Sequence, residues 1–231
     1  MGSMPSGSLL RIGIDEAGRG SIVGEMFIAA IVISDEDEKT LIELGVKDSK
    51  KLSEKQRRDL YHVLKRWPFS VTVVTPREID TYNVNVLEEV KILSLLENLR
   101  ARLGDEILQA KIVIDRFGDP SRLLSKLRAK GFKGQILIEE KADDKYVEVA
   151  AASIIAKHLR DVRIKVLTDI YGVEGSGYPS DERTLKWLEM VLKRGDRLPI
   201  LRYSWETLEK LGYKKIKKKS NVYYKSLDEY L

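Results

Sequence analysis

The fold is decided by a stretch near the start of the chain, Ile12-Gly13-Ile14-Asp15-Glu16-Ala17-Gly18-Arg19-Gly20. The aliphatic, β-branched residues 9–14 predict a buried strand that ends at two adjacent acids. Asp15 and Glu16 then supply oxygen ligands for a hard cation at the end of a sheet. In the Gly18-Arg19-Gly20 turn, the glycines let backbone N–H groups approach an anion, and the arginine adds a planar fork of donors. The stretch therefore predicts metal-assisted phosphodiester chemistry.

Composition narrows the kind of metal site. The 231 residues include no cysteine and two histidines, which excludes thiolate sites and argues against a histidine-rich zinc or iron site. Any catalytic metal must be held mainly by carboxylates, which favours Mg²⁺ or Mn²⁺. The net charge of +5 permits a polyanionic partner without requiring one. No run is apolar enough to span a membrane and no signal peptide is visible, so we expect a cytoplasmic globular protein.

Further strands and helices follow the opening stretch in alternation. The apolar pattern predicts strands at residues 26–33, 69–75, 111–115 and 135–138. Ser53 with Gln56 is a capping box that predicts a helix over 54–65, and Asn85 with Glu88 is a second cap pattern that predicts a helix through about residue 102. Later helices are predicted at 119–131, from 145 through 157, at 181–193 and at 205–211. This order favours an α/β fold with a mixed central β-sheet flanked by helices.

Three of the predicted strands end in carboxylates. Asp15, Asp115 and the acidic cluster at residues 139–144 each follow a strand, and sites in open sheets of this kind form at the carboxyl ends of strands. We therefore expect these acids, which are distant in sequence, to lie together in one candidate site. The simpler alternatives are a solvated turn at residues 15–16 and ordinary acids in the first turn of a helix at Asp143 and Asp144.

Other singled-out residues have structural alternatives too. His62 and His158 fall within predicted helices and are interpreted as structural. Tyr178 lies between a glycine and a proline, where an aromatic ring either packs locally or stacks on a sugar or base. Lys50 is a candidate phosphate contact, and a plain charged loop is its alternative.

Six motifs in order resemble those of ribonuclease HII, the type 2 ribonuclease H, and the archaeal branch is the most similar. Five of them follow the opening stretch and extend the resemblance over roughly residues 11–211: Asp48-Ser49-Lys50-Lys51-Leu52, Val113-Ile114-Asp115, Lys141-Ala142-Asp143, Ala151-Ala152-Ser153-Ile154-Ile155-Ala156-Lys157 and Gly175-Ser176-Gly177-Tyr178-Pro179-Ser180-Asp181. The resemblance implies a ribonuclease H-like fold and two-metal hydrolysis of RNA paired with DNA. It also implies cleavage 5′ of a ribonucleotide, including a single one embedded in DNA, that leaves 3′-hydroxyl and 5′-phosphate ends.

The same resemblance implies roles for particular residues. The catalytic, metal-binding carboxylates are Asp15, Glu16, Asp115 and Asp143, which would hold two Mg²⁺ or Mn²⁺ ions. The substrate contacts are Gly18, Arg19, Gly20, Lys50 and Tyr178, with the glycine turn sensing the 2′-hydroxyl and the tyrosine stacking on a sugar. Three residues depart from the family's pattern: Ser21 and Glu25 replace prolines, and Glu140 replaces a frequent histidine.

The domain organisation expected from the sequence has four parts. Residues 1–8 are a lead-in or tag remnant, 9–170 a ribonuclease H-like catalytic domain, 171–213 a helical C-terminal region contributing to substrate binding, and 214–231 a basic tail. We expect a monomer with no membrane partner. The last residues, 224–231, resemble a sliding-clamp docking peptide with Leu227 and Tyr230 at anchor spacing. The alternative is a short amphipathic helix that packs back on the body.

Two rival functions share some of these features. Another nuclease of the same fold, such as a junction resolvase or a transposase-like enzyme, would share the carboxylates but not the Gly-Arg-Gly turn with the Tyr178 loop. A non-catalytic nucleic-acid-binding protein would use the basic tail and would not need four carboxylates.

Overall fold

The computed structural model describes residues 9–115 and 118–213, except for the side chains of residues 48–50. The predicted lead-in at 1–8 and the predicted basic tail at 214–231, which includes the clamp-like peptide, lie outside the described residues.

A five-stranded mixed sheet forms the centre of the fold. Its strands are β1 (Leu10–Ala17), β2 (Met26–Ser34), β3 (Phe69–Val74), β4 (Lys111–Asp115) and β5 (Ile136–Glu139), in the spatial order β3-β2-β1-β4-β5. Strand β1 pairs antiparallel with β2 and parallel with β4, which in turn pairs parallel with β5. The predicted mixed sheet is confirmed.

Nine helices are assigned within the described ranges. They are α1 (Asp37–Glu43), α2 (Glu54–Leu64), α3 (Pro76–Thr81), α4 (Val84–Leu103), α5 (Ser121–Ala129), α6 (Ala142–Lys145), α7 (Val147–Tyr171), α8 (Glu182–Lys193) and α9 (Glu206–Lys210), and there are 3₁₀ helices at Val46–Lys51 and Asp105–Gln109. The capping box predicted at Ser53 and Gln56 is present. Helix α3 was not predicted, although Thr75 and Glu78 form a capping box with Pro76 at its first position. The prediction had assigned Thr75 to the preceding strand.

Helix α7 packs directly on β1 at Gly13. A Cβ atom built on Gly13 would lie 2.1 Å from the carbonyl carbon and oxygen of Glu148. The Glu148 side chain is fully buried and accepts two hydrogen bonds from Arg11, from Nε at 3.1 Å and from Nη2 at 2.7 Å. A close backbone approach and a buried ion pair therefore fix the start of α7 against β1, beside the predicted metal ligands.

The chain divides into two compact units, each with its own core. Of the described residues, the first comprises 9–17, 27–72, 89–115 and 118–161, where alanines and isoleucines of α7 pack with β2 and α2. The second comprises the described residues 18–26, 73–88 and 162–213, and its core includes Ile22, Leu167 and Trp187. Within the described ranges, no helix is both long and apolar enough to cross a bilayer.

The contact at Gly13 leads to the first prediction. Replacing Gly13 with alanine forces α7 away from β1 and should lower the free energy of unfolding by about 3 kcal/mol, as overpacking against backbone does. Thermal and denaturant unfolding measure this loss. The matched control is Gly20→Ala, because a Cβ there meets nothing within 4 Å and the residue has no positive φ. Equal stability of the two variants would contradict the proposed contact.

Candidate active site

Three carboxylates meet at the ends of two parallel strands. Strands β1 and β4 pair in register with Ile14 opposite Ile114, so Asp15 and Asp115 follow side by side. One carboxylate oxygen from each of Asp15, Glu16 and Asp115 lies within 4.8 Å of the other two. The predicted convergence of strand-end acids therefore holds for these three residues.

The two adjacent acids lie inside β1 and not after it, because the strand continues to Ala17. Asp15 is buried, Glu16 is half-buried, and a strictly regular strand would direct them to opposite faces. The Glu16 backbone N–H donates to Oδ1 of Asp15 at 2.8 Å, which holds the Asp15 carboxylate at the Glu16 backbone. Despite their positions in the strand, the Asp15 and Glu16 side chains each contribute an oxygen to the same group of three acids.

The electrostatics of this group centre on Asp15. Burial and the neighbouring charge of Glu16 raise the pKa of the Asp15 carboxyl well above its usual value, and the charge of Asp115 adds to this. Ser153 and Lys157 of α7 act in the opposite direction and lower the pKa. Ser153 lies close enough to Asp15 for this effect, but its buried Oγ makes no hydrogen bond of normal geometry with any described residue.

These residues fit a divalent metal ion. The group offers oxygen ligands only, which suits hard cations such as Mg²⁺ and Mn²⁺. Burial and the like charges of Glu16 and Asp115 raise the pKa of Asp15, because they disfavour its ionised form. A bound cation would stabilise that ionised form. The Ser153 hydroxyl leaves a polar atom beside the carboxylates without a partner of normal geometry among the described residues.

Asp143 is not part of the group formed by Asp15, Glu16 and Asp115, although the helix that contains it contacts Asp115. It falls in α6, whose first residue, Ala142, donates its backbone N–H to Oδ1 of Asp115 at 2.8 Å. Asp143 is buried and Asp144 is exposed, which favours Asp143 as the inward acid. Lys141, immediately before α6, has a φ of 56° and is the one non-glycine residue with positive φ in the described ranges. The metal role of Asp143 stays a prediction.

The predicted substrate contacts Gly18, Arg19, Gly20 and Tyr178 all fall in the second unit. Gly18 has a φ of 87°, and the turn that it begins is hydrogen-bonded to the loop that carries Tyr178. Gly177 supplies the carbonyl for this, accepting from the backbone N–H of Ile22 at 2.9 Å and from the Ser21 hydroxyl at 2.8 Å. The structure thus brings the two predicted substrate-binding loops together.

Lys50 belongs to the 3₁₀ helix Val46–Lys51, which contacts α6. Its backbone segment therefore lies beside the helix that contains Asp143. The Lys50 side chain lies outside the described part of the structure, so its role stays a prediction.

Two departures from the family's pattern have local structural explanations. The Val23 carbonyl oxygen also lies 2.7 Å from the Ser21 Oγ, so the single hydroxyl proton is shared between the Val23 and Gly177 carbonyls and stabilises the turn. Glu25 accepts two hydrogen bonds from Arg163, at 2.8 and 2.7 Å. Burial acts to raise the pKa of Glu25, but the hydrogen bonds and charge of Arg163 lower it overall. Glu25 is therefore an ion-paired carboxylate.

Sequence reasoning gave no role to Ser153, Lys157 or Arg202. The spacing of Ser153 and Lys157, four residues apart, placed both on one face of a helix, and that was the available signal. Arg202 is fully buried, donates from Nη1 to the Arg19 carbonyl at 2.9 Å and donates twice to the Gly24 carbonyl. No sequence pattern indicated this contact, because Arg202 lies 183 residues from Arg19.

Known proteins are similar to this chain in sequence and architecture. A family model described as Ribonuclease HII matches residues 12–208. Ribonuclease HII of Aeropyrum pernix is 40% identical over 222 residues, which cover 95% of this chain and 97% of the relative. The crystal structure of the ribonuclease H2 from Pyrococcus horikoshii OT3 is 41% identical with a TM-score of 0.76, covering 88% of this chain and 97% of that one. Ribonuclease HII in the PCNA:RNase HII complex from Archaeoglobus fulgidus is 34% identical with a TM-score of 0.68, covering 89% and 98%.

The mixed sheet with acids at its strand ends, together with these similarities, defines a nuclease with the ribonuclease H-like fold. The chain belongs to the ribonuclease HII family. It is therefore an enzyme, a hydrolase with ribonuclease H activity.

The electrostatics of the carboxylate group lead to the second prediction. In metal-free protein, Asp15→Asn removes one of the clustered negative charges and keeps an oxygen that can accept from the Glu16 N–H. It should therefore raise the free energy of unfolding, because burial and the neighbouring charges disfavour the ionised Asp15 carboxylate, as the raised pKa of Asp15 indicates. Added Mg²⁺ or Mn²⁺ should stabilise the parent protein more than the variant, because a ligand that binds the native state raises its stability.

Calorimetric unfolding with and without metal measures both effects. Asp105→Asn is the matched control, because Asp105 is an exposed acid paired with Arg100. A metal response of Asp15→Asn as large as that of the parent would remove Asp15 from the metal site.

Proposed function

We propose that this enzyme hydrolyses the RNA strand of RNA/DNA hybrids and cuts 5′ of ribonucleotides embedded in duplex DNA. The products carry 3′-hydroxyl and 5′-phosphate ends. The observation that supports this is the carboxylate group of Asp15, Glu16 and Asp115 at the ends of β1 and β4, in a chain of the ribonuclease HII family.

Asp15, Glu16, Asp115 and Asp143 hold two divalent ions, Mg²⁺ or Mn²⁺, in this proposal. Asp15 would be the ligand shared by the two ions, since the charges of both Glu16 and Asp115 act on it. When bound, two such ions supply an activated water and charge stabilisation at the attacking and leaving oxygens. The bond from the water oxygen to phosphorus forms as the bond from phosphorus to the 3′-oxygen breaks, and the 3′-oxygen takes up a proton.

The surrounding residues orient these ligands. The Glu16 backbone N–H fixes one oxygen of Asp15, and the Ala142 N–H fixes one oxygen of Asp115. Ser153 and Lys157 favour the ionised form of Asp15, which is the form that binds a cation. Such fixed supporting contacts commonly tune metal affinity.

Substrate binding is assigned to Gly18, Arg19, Gly20, Lys50 and Tyr178. Backbone donors of the glycine turn read the 2′-hydroxyl, which distinguishes RNA from DNA at a given nucleotide. The Tyr178 ring stacks on a sugar beside the RNA–DNA junction. Residues 9–170 would then form the catalytic domain, and residues 171–213 would contribute to substrate binding.

The third prediction tests this function with a DNA duplex that contains one ribonucleotide. The parent protein should nick the strand 5′ of the ribonucleotide with Mg²⁺ or Mn²⁺ and leave a 3′-hydroxyl. Asp15→Asn should reduce the rate at least about 10³-fold, because it removes a shared metal ligand. Gel mapping of the labelled products measures both the position and the rate.

The controls are an all-DNA duplex, which should stay intact, and Asp105→Asn, which should cut at the parent rate. A correctly folded parent protein that cuts the duplex with neither metal would refute the proposed function. Equal cutting by the parent and Asp15→Asn would refute the assignment of the site.

We also propose that the C-terminal residues 224–231 dock on a sliding clamp through Leu227 and Tyr230. These residues lie outside the described part of the structure, so the proposal rests on their spacing and on the relative from Archaeoglobus fulgidus, which forms a complex with PCNA. Clamp docking would place a monomeric nuclease on duplex DNA.

The fourth prediction is that deleting Tyr224 to Leu231 abolishes binding to an archaeal PCNA while cutting of short duplexes persists. The docking peptide supplies apolar anchors for the clamp and has no assigned part in the chemistry. Titration calorimetry of the full chain and the deletion measures the affinity, and Leu227→Ala with Tyr230→Ala should match the deletion. Unchanged affinity of the deletion would show that this peptide is not the docking site.

A further inference from the structure

The side chain of Arg19 is held by the first residues of α4. Its Nη1 donates to Oε2 of Glu88, and its Nη2 donates to Oδ1 of Asn85 at 2.5 Å. All three residues belong to the second unit. Asn85 and Glu88 are three residues apart on a helix, so their side chains share one face.

The sequence interpretation of Asn85 and Glu88 as a helix cap was wrong. Helix α4 begins at Val84, and Oδ1 of Asn83 accepts from the Asn85 backbone N–H at 2.9 Å, as an N-cap residue does. The Asn83 carbonyl also accepts from the Leu87 N–H. Since Asn83 caps the helix, the side chains of Asn85 and Glu88 serve the contact with Arg19.

The Glu88 carboxylate lies in an unusual environment for a charged group. Its side chain is 1% exposed, and Oε1 has no hydrogen-bond partner among the described residues. An apolar pair commonly gives as much stability as a buried ion pair, so a buried pair of this kind is weak support for stability. Its better-supported use is to fix one geometry for Arg19, whose side chain is 30% exposed.

The backbone of the turn is held separately from this side-chain contact. Arg202 donates from Nη1 to the Arg19 carbonyl, and from Nε and Nη2 to the Gly24 carbonyl. The Ser21 hydroxyl bonds to the Val23 and Gly177 carbonyls. A change at Glu88 should therefore release the Arg19 side chain while the turn itself keeps its conformation.

We infer that Glu88, with Asn85, is a positioning pair that orients the Arg19 guanidinium toward the phosphates of the nucleic-acid substrate. A guanidinium is a planar fork, so a fixed orientation decides whether it meets a phosphate with good geometry. The inference rests on the proposed function, in which Arg19 contacts the substrate. Glu88 acts through Arg19 and has no direct part in the chemistry.

The test compares Glu88→Gln with Glu89→Gln. Glu89 is the adjacent buried glutamate and is paired with Arg122, so it is a matched control. Glu88→Gln should raise KM for a ribonucleotide-containing duplex, and the Kd for an RNA/DNA hybrid without metal, by about 10-fold. We expect kcat to change less than about 3-fold, because the contact exists before the transition state. Glu89→Gln should leave KM and Kd unchanged.

A double-mutant cycle with Arg19→Ala separates positioning from general destabilisation. If Glu88 acts through Arg19, Glu88→Gln should add nothing to the KM or Kd of Arg19→Ala. It should also raise the melting temperature of Arg19→Ala, because it removes a buried charge left without its partner. If Arg19→Ala does not fold, Arg19→Gln replaces it in the cycle, since glutamine fills more of the same space and still removes the charge opposite Glu88.

The outcomes are distinguishable. Additive effects in the cycle, or equal effects of Glu88→Gln and Glu89→Gln, would overturn the positioning role. Hybrid binding by the parent protein without cleavage would overturn the proposed function, while the Kd cycle would still decide the role of Glu88. A parent protein that binds no hybrid would contradict both.

Discussion

The close approach of α7 to β1 at Gly13 is the constraint on which the first unit depends. Any side chain at this position would meet the Glu148 backbone, so the helix rests directly on the strand that carries Asp15. The buried pair of Arg11 and Glu148 fixes the same end of the helix. Because α7 starts there, Ser153 and Lys157, which lie about one and a half and two and a half turns beyond Glu148, are close enough to act on the charge of Asp15. A glycine in a strand thus sets the environment of a carboxylate two residues away.

The carboxylate group carries a second constraint, which is repulsion. Asp15 is buried with Glu16 and Asp115 as neighbours, and its pKa is raised because its charged form is unfavourable there. Strand pairing holds the acids together despite this cost. A fold that holds carboxylates together by backbone geometry offers oxygen ligands to a cation. The charge of Lys157 lowers the pKa of Asp15, but the overall shift is upward, so Lys157 offsets only part of the negative charge. Functional sites are where such local conflicts are expected.

The sequence predicted the fold well where patterns were local. The strands, the capping box at Ser53 and the meeting of Asp15 with Asp115 followed from apolar periodicity and from parallel pairing. Contacts between distant segments could not be predicted, because no local pattern encodes that Arg202 bonds to the Arg19 carbonyl or that Ser21 bonds to Gly177. The metal role of Asp143 rests on resemblance, since it lies outside the group of three acids.

Asn85 and Glu88 show why a correct pattern can have another cause. An asparagine followed three residues later by a glutamate has the spacing of a cap, and α4 does begin one residue before Asn85. The same spacing puts both side chains on one helical face, where they can hold a third group as easily as a helix end. Asn83 takes the capping role, so the pair is available to Arg19. The helix start could be read from the sequence, but the use of its side chains depended on Arg19, a residue 66 positions from Asn85.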